Sequence, residues 1–500
     1  MGPPFHFRTL EIMQARLIKY LRRTLLVLTI VGVTLLAVRA WDSQRGAGLE
    51  LWHTHVPHEM HAPALDKSDW AAYLAAEEAI FRTVKAEVVD LLDEASRVPG
   101  NRYFAGSPIY PGNFAQDWNR SYLLEPDGAP AGAVILLHGL TDSPYSLRHI
   151  GRLYREAGFL VIAIRLPAHG TIPAALTDVE WEDWMAATRL TVREARRRTQ
   201  APLHIVGFSN GGALAMKYAL DALDDNSLAR PDRLILISPM IGITSFARFV
   251  GFAELPALLP AFAKAAWLGI LPEFNPFKYN SFPVNGARQS HRLTAALQER
   301  IASAARDGRL DRLPPVLTFQ SVVDFTVSTR AIITALYDQL PANGSELVLF
   351  DINRSAAIGP LLRTASETVL SRILGDPPRK FRTTIITNAS ADRNDVVEQV
   401  IEAGATTQQI RELPLAFPSG IFSLSHVALP FPMTDDLYGL TPGKSEDFGV
   451  NLGALAPRGE RGVLIVNLDS ILRVSSNPFF PYLLDRIAEG IGAGAKRGGQ

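Results

Sequence analysis

A serine hydroxyl attacks a carbonyl at neutral pH only when a base removes its proton, so candidate chemistry starts from a serine and its partners. Ser209 stands in Gly207-Phe208-Ser209-Asn210-Gly211. This spacing lets the chain make a turn too tight for side chains at the two glycines and hold the hydroxyl out. The base for such a serine is usually histidine, whose pKa lies near the working pH. Where a serine is presented on a turn of this type, acid and then histidine follow it along the chain. Eleven histidines are present, and only His291 and His426 lie beyond Ser209. His291 falls inside a segment that reads as an insertion, whereas His426 sits in the loop-like Ser423-Leu424-Ser425-His426-Val427, after the late strands. Elimination therefore gives His426 as the base.

The third group must orient the imidazole and stabilise its charged form. Asp324 follows the apolar run Val316-Leu317-Thr318-Phe319-Gln320, which places it at a strand's C-terminal end. Asp351, after the next strand, is the alternative, with Asp338 on an expected helix as a third; capping the helix expected over Thr329 to Gln339 is the non-catalytic role open to Asp324. A pocket for the developing oxyanion is best made of backbone N–H groups. Those of Asn210 and of Leu140, in His138-Gly139-Leu140 after the run Val134 to Leu137, are the expected donors. His138 reads as a loop histidine holding that turn.

The elements that must position these residues are legible as short apolar runs alternating with helical patterns. Strands are expected over Ala133–Leu137, Leu160–Ile164, Leu203–Gly207, Arg233–Ser238, Val316–Gln320 and Leu347–Phe350. Helices are expected over His149–Ala157 and Trp181–Arg198, and another opens after Ser209. The alternation predicts an α/β fold with a doubly wound, mostly parallel sheet connected by right-handed crossovers. Two insertions interrupt the rhythm. Residues 240–313 carry Phe249, Val250, Gly251, Phe252, Leu255, Leu258, Leu259, Phe262, Trp267, Phe274 and Phe277, and are expected to form a helical lid whose apolar side chains line an acyl pocket or pack the lid on the body. Residues 356–418 are expected to add a strand at Thr383–Thr387 and a helix at Asn394–Ala403 to the sheet edge.

The remaining chain bounds the setting. Its length of 500 residues and 47% hydrophobic content allow one large decorated domain or two. Fifty basic and fifty acidic residues cancel, so the overall balance gives no reason to expect nucleic acid as a partner. The absence of cysteine excludes disulfides, thiol catalysis and Cys-ligated zinc. Arg8, Arg16, Lys19, Arg22 and Arg23 precede a charge-free run from Thr24 to Val38. Such a run reaches about 22 Å as a helix, which flanking residues can extend towards a bilayer's core. Residues 1–40 are thus expected to be a basic flank plus a transmembrane anchor or signal helix, with the catalytic domain exported. Residues 41–130 read as a lead-in with one amphipathic helix over Asp66–Ala95, and residues 131–495 as the main domain. His53, His55, His58 and His61 match no metal-ligand spacing and are expected in a solvated loop.

The set Leu136-Leu137-His138-Gly139-Leu140-Thr141-Asp142-Ser143-Pro144, Arg165-Leu166-Pro167-Ala168-His169-Gly170-Thr171, Gly207-Phe208-Ser209-Asn210-Gly211-Gly212, Asp324 and His426 resembles the α/β-hydrolase superfamily, nearest to bacterial carboxylesterases and monoacylglycerol lipases. The likeness covers about Ala131 to Ala356 and the part from His426 onward, with Ala168 where that subgroup often has glycine. It implies Ser209, Asp324 and His426 as a triad, Leu140 and Asn210 as oxyanion donors, a small-molecule or lipid ester as substrate, and neither metal nor cofactor. A thioester or amide substrate, or a non-catalytic scaffold that binds a lipid or partner at the membrane, are the alternatives.

Overall fold

The computed structural model describes residues 5–242, 255–257, 259–356, 359–362, 368–455 and 476–497. Ten strands form one sheet: β1 (Tyr122–Leu124), β2 (Gly132–Leu137), β3 (Phe159–Ile164), β4 (Leu203–Phe208), β5 (Arg233–Ile237), β6 (Val316–Ser321), β7 (Glu346–Phe350), β8 (Arg382–Asn388), β9 (Asp395–Ile401) and β10 (Gln409–Ala416). Their spatial order is β1-β3-β2-β4-β5-β6-β7-β8-β9-β10. The central pairings from β3 through β8 are parallel, and the outer ones, β1 on β3 and β8-β9-β10, are antiparallel. This is a doubly wound, mostly parallel sheet of the α/β-hydrolase kind.

The central strands are continuous apolar runs because both faces are covered. Every residue of β2, β3 and β4 is buried. Alternate side chains divide between two cores. Ala133, Ile135 and Leu137 of β2 join the core built with helices α4 (Trp181–Arg198), α5 (Asn210–Asp221) and α6 (Val284–Arg306). Val134 and Leu136 join the other, which holds α3 (Arg148–Glu156) and α7 (Phe480–Arg497).

The lead-in is locked to this body by charge as well as packing. Helix α2 runs only from Trp70 to Val84, shorter than the spacing suggests. Asp69 caps its start by accepting from Ala72 N–H, and a wide turn over Lys85–Val89 ends it. Glu77 of α2 and Glu59 close on the fully buried Arg165 after β3, at 3.1 and 2.8 Å. Residues 41–130 also supply the edge strand β1. Of the four histidines there, His58 and His61 are exposed in a loop as expected, His61 reaching Asp183 at 3.1 Å, whereas His53 is buried against Ser281 Oγ at 3.0 Å.

The expected helix at Asn394–Ala403 is instead strand β9, paired with both β8 and β10. Val396, Val397, Val400 and Ile401 are β-branched and suit a pleated surface, and the open edge of β8 gives them a ladder. Residues 356–418 thus extend the sheet by three strands. Helix α1 (Phe5–Ser43) includes a 28-residue stretch, Arg16–Ser43, in which an 18-residue window has mean hydropathy 2.0 and no buried residue, long and apolar enough to cross a membrane.

Candidate active site

The turn between β4 and α5 is shaped by close backbone approach. A Cβ on Gly211 would lie 1.9 Å from Leu137 O, and one on Gly207 would lie 2.3 Å from Gly211 O, so neither position admits a side chain. Between them Ser209 takes φ 54° and ψ −114°, left-handed backbone that an L-residue adopts only when its surroundings enforce it. The enforcement is visible: Ser209 N–H donates to Ile237 O at 2.9 Å, and Met240 N–H donates to Ser209 O at 3.0 Å. The serine is thereby pinned between β4 and the loop leaving β5.

His426 stacks on Phe208, the residue before the serine, with ring centroids 5.3 Å apart. Its Nδ1 lies 2.9 Å from Asp324 Oδ2, and both side chains are almost wholly buried. No hydrogen bond among the described residues uses His426 Nε2. Asp324 sits in the loop after β6 and is held at its other oxygen by the N–H groups of Thr326 and Val327, at 2.7 and 3.0 Å; Gln320 Nε2 donates to Oδ2 at 3.2 Å. Burial alone would raise this carboxyl's pKa. The attraction of His426, its hydrogen bond and the two backbone donors outweigh that and hold it below the ordinary value. Asp324 therefore stays ionised, which is what a charged partner of the imidazole requires.

The other candidates lie elsewhere. Asp351 is buried but taken by Arg354 at 2.6 Å and Thr387 at 2.9 Å. Asp338 is exposed in the turn Tyr337–Gln339, and His291 lies on α6. Asp324 does not cap the following helix; Ser328 accepts from Ala331 N–H there.

The loop after β2 lies against the serine, since a Cβ on Gly139 would stand 3.2 Å from Ser209 Cβ. His138 holds this loop: its Nδ1–H donates to Gly139 O at 2.9 Å, and its Nε2 accepts from Leu166 N–H at 3.0 Å. Burial lowers its pKa to about 3, so it is a neutral brace. No hydrogen bond among the described residues uses the N–H of Leu140 or of Asn210, the first residue of α5. Two unpaired donors, one at a helix N-terminus, can receive an anionic oxygen.

The segment over residues 240–313 is docked at several points. Phe249, Val250, Gly251, Phe252 and Leu258 lie outside the described residues. Trp267 and Phe277 are buried, and Phe277 stacks on Tyr145 at 4.2 Å, so these rings pack the segment on the body, while Leu255 and Leu259 are exposed. At the end of α1, Arg39 donates to Ala265 O and Trp267 O, and Gln44 to Ala261 O.

Residues that sequence reasoning missed are those whose partners are remote. Asp435 is fully buried and gathers Arg148, His149 and Tyr145 Oη at 2.8, 2.9 and 2.9 Å, which fixes the start of α3 just beyond the Gly139 loop. Phe208 lay within the Gly207–Gly211 motif, and its ring gave the only signal for the His426 stack.

Comparison with known proteins follows the same outline. The model of the alpha/beta hydrolase family matches residues 134–436. A thermostable monoacylglycerol lipase of Bacillus sp. (strain H-257) is 27% identical over 205 residues, 40% of this chain and 73% of that protein. Among solved structures, one from work on the metagenome-derived lipolytic enzymes LipS and LipT is 22% identical with a TM-score of 0.38, covering 51% of this chain and 95% of that one. The monoacylglycerol lipase of Paleococcus ferrophilus is 20% identical with a TM-score of 0.34, covering 50% of this chain and 98% of that one. Because the family match takes in more than half of its residues, the chain belongs to the alpha/beta hydrolase family.

Proposed function

We propose that this hydrolase is a membrane-anchored serine esterase or lipase that cleaves carboxylic esters through an acyl-enzyme. The observation that carries the reading is the His426–Asp324 pair at 2.9 Å, stacked on the residue that precedes the strained Ser209. Ser209 Oγ attacks the ester carbonyl while His426 Nε2 takes its proton. The oxyanion accepts hydrogen bonds from the N–H groups of Leu140 and Asn210. His426 then gives the proton to the leaving alcohol, and a water activated by the same nitrogen frees Ser209 and the acid. Each oxyanion donor contributes about 3 to 4 kcal/mol to the transition state.

The monoacylglycerol lipase relative supports an ester substrate, and the apolar α1 supports a membrane setting with residues 41–500 on the exported side. The direct test is a series of p-nitrophenyl esters from acetate to palmitate, with fluorophosphonate labelling. Hydrolysis and labelling by the wild type, both lost in Ser209→Ala, are expected. A folded wild type that hydrolyses none of the esters and resists the label would end the reading.

A further inference from the structure

Helix α2, the segment 102–120 and the loop ending at Thr171 border a cavity of about 300 Å³, open to solvent on one side, that shares no lining residue with the Ser209 site. Arg102, 2% exposed, forms part of its wall. A buried guanidinium is costly unless its charge and its five donors are met. The charge lies over the rings of Tyr103 and Tyr279, at 5.5 and 6.0 Å, but the donors are met poorly. Nη1 donates to Lys278 O at 3.4 Å, and Nη2 to Asn119 Oδ1 at 3.2 Å and Gly170 O at 3.4 Å, all at the long end of the range. Nε is buried with no partner. Asp117 and Glu273 act on Arg102 through space, yet their oxygens are committed, to Asn119 and Arg120 and to the N–H groups of Asn280 and Ser281.

The other cations on the wall sort by the same criterion. Lys85 is held by Asp90 at 2.7 Å and Arg120 by Glu78 at 2.6 Å. Arg82, exposed, has no ion-pair partner among the described residues. The rest of the wall is largely apolar and aromatic, with Phe81, Val84 and Tyr103 facing the space.

We propose that this cavity binds a carboxylate that carries an apolar body, its carboxylate on Arg102 and its body against Phe81, Val84 and Tyr103. A volume of this size lies at the lower end of those that take small organic ligands. A carboxylate suits a guanidinium whose Nε–H is unpartnered and whose other bonds are long enough to yield. A dianion such as phosphate suits it less, since Glu78 and Asp117 also line the wall and would repel the second charge. The proposal does not depend on ester hydrolysis at Ser209.

The test is calorimetric titration of the full chain, carrying Ser209→Ala, in dodecylmaltoside with octanoate, 1-octanol and inorganic phosphate as probes. Octanoate is expected to bind saturably and at least about tenfold more tightly than either of the others. Arg102→Gln is expected to weaken octanoate by about tenfold or more, and Arg82→Glu, at an exposed position that leaves the fold intact, by several-fold. No saturable octanoate binding, phosphate binding as tight as octanoate, or octanoate affinity unchanged in Arg82→Glu would each overturn the proposal, and the last decides the matter if Arg102→Gln fails to fold.

Discussion

Nδ1 of His426 meets Oδ2 of Asp324 at 2.9 Å although the two stand 102 positions apart. The long interval is spent on β7 and on the β8-β9-β10 extension of the sheet edge, after which the chain returns to Phe208. A pair formed across such a gap orients the imidazole only if the whole extension is folded. Asp324→Asn is expected to leave the fold intact and to lower kcat by about 10⁴, because the amide no longer favours the Nδ1–H tautomer or the imidazolium. His426→Ala should cost at least as much, and the double variant little more than the worse single one, since the residues act as a unit. Additive losses in kcat would show that they do not.

Gly139 is tested by adding one methyl group. A Cβ there would stand 3.2 Å from Ser209 Cβ and 3.3 Å from the Phe208 ring, tight but not a collision with backbone. Gly139→Ala should therefore displace the serine or the Leu140 N–H by a fraction of an ångström. A loss in kcat on the order of 10²-fold with little change in Tm is expected. An unchanged kcat would place the loop away from the reacting atoms.

What was legible in the sequence follows from where the constraint lies. The runs Leu203–Phe208 and Val316–Ser321 are buried on both faces, so each strand is written in its own residues. Ser209, Asp324 and His426 could be named as candidates because strand ends and elimination narrow the choice, and the structure brings Asp324 and His426 together. By contrast, Val396, Val397, Val400 and Ile401 repeat at a helical spacing, and only the open edge of β8 makes them a strand. Arg165 stands in one of the stretches that carry the resemblance, but nothing local ties it to Glu59 and Glu77 until the fold brings positions 59, 77 and 165 together. Asp435 was unreadable for the same reason, since its partners at 145, 148 and 149 come from α3 and the turn before it.

The Arg165 cluster predicts that the lead-in is structurally obligatory. Glu77 and Arg165 are both buried, so Glu77→Ala leaves a guanidinium without one of its two carboxylates. A loss of about 3 to 5 kcal/mol in urea unfolding is expected. Arg393→Ala, which breaks an exposed pair, should cost about 1 kcal/mol or less. Equal effects would mean that α2 is only loosely attached to the body.

Acid should unfold this protein through its buried histidines. Burial lowers the pKa of His138, His169 and His204 to about 3 and that of His53 to about 4, against an ordinary 6.5. Between those values the unfolded chain binds a proton at each of these positions and the native state does not. Stability therefore rises with pH there, is fully present above about 6.5, and falls as pH drops towards the folded values. Each histidine contributes a slope of about 1.4 kcal/mol per pH unit in that window. His204, whose Nδ1 shares a hydrogen bond with Tyr154 Oη at 3.0 Å, is the place to measure one of them, because the glutamine amide can either donate or accept there. His204→Gln should reduce the slope of unfolding free energy between about pH 6 and pH 5 by one proton's worth. If the slope is unchanged, either His204 titrates normally in the native state or the unfolded chain does not expose it, and burial is then not the source of the acid sensitivity.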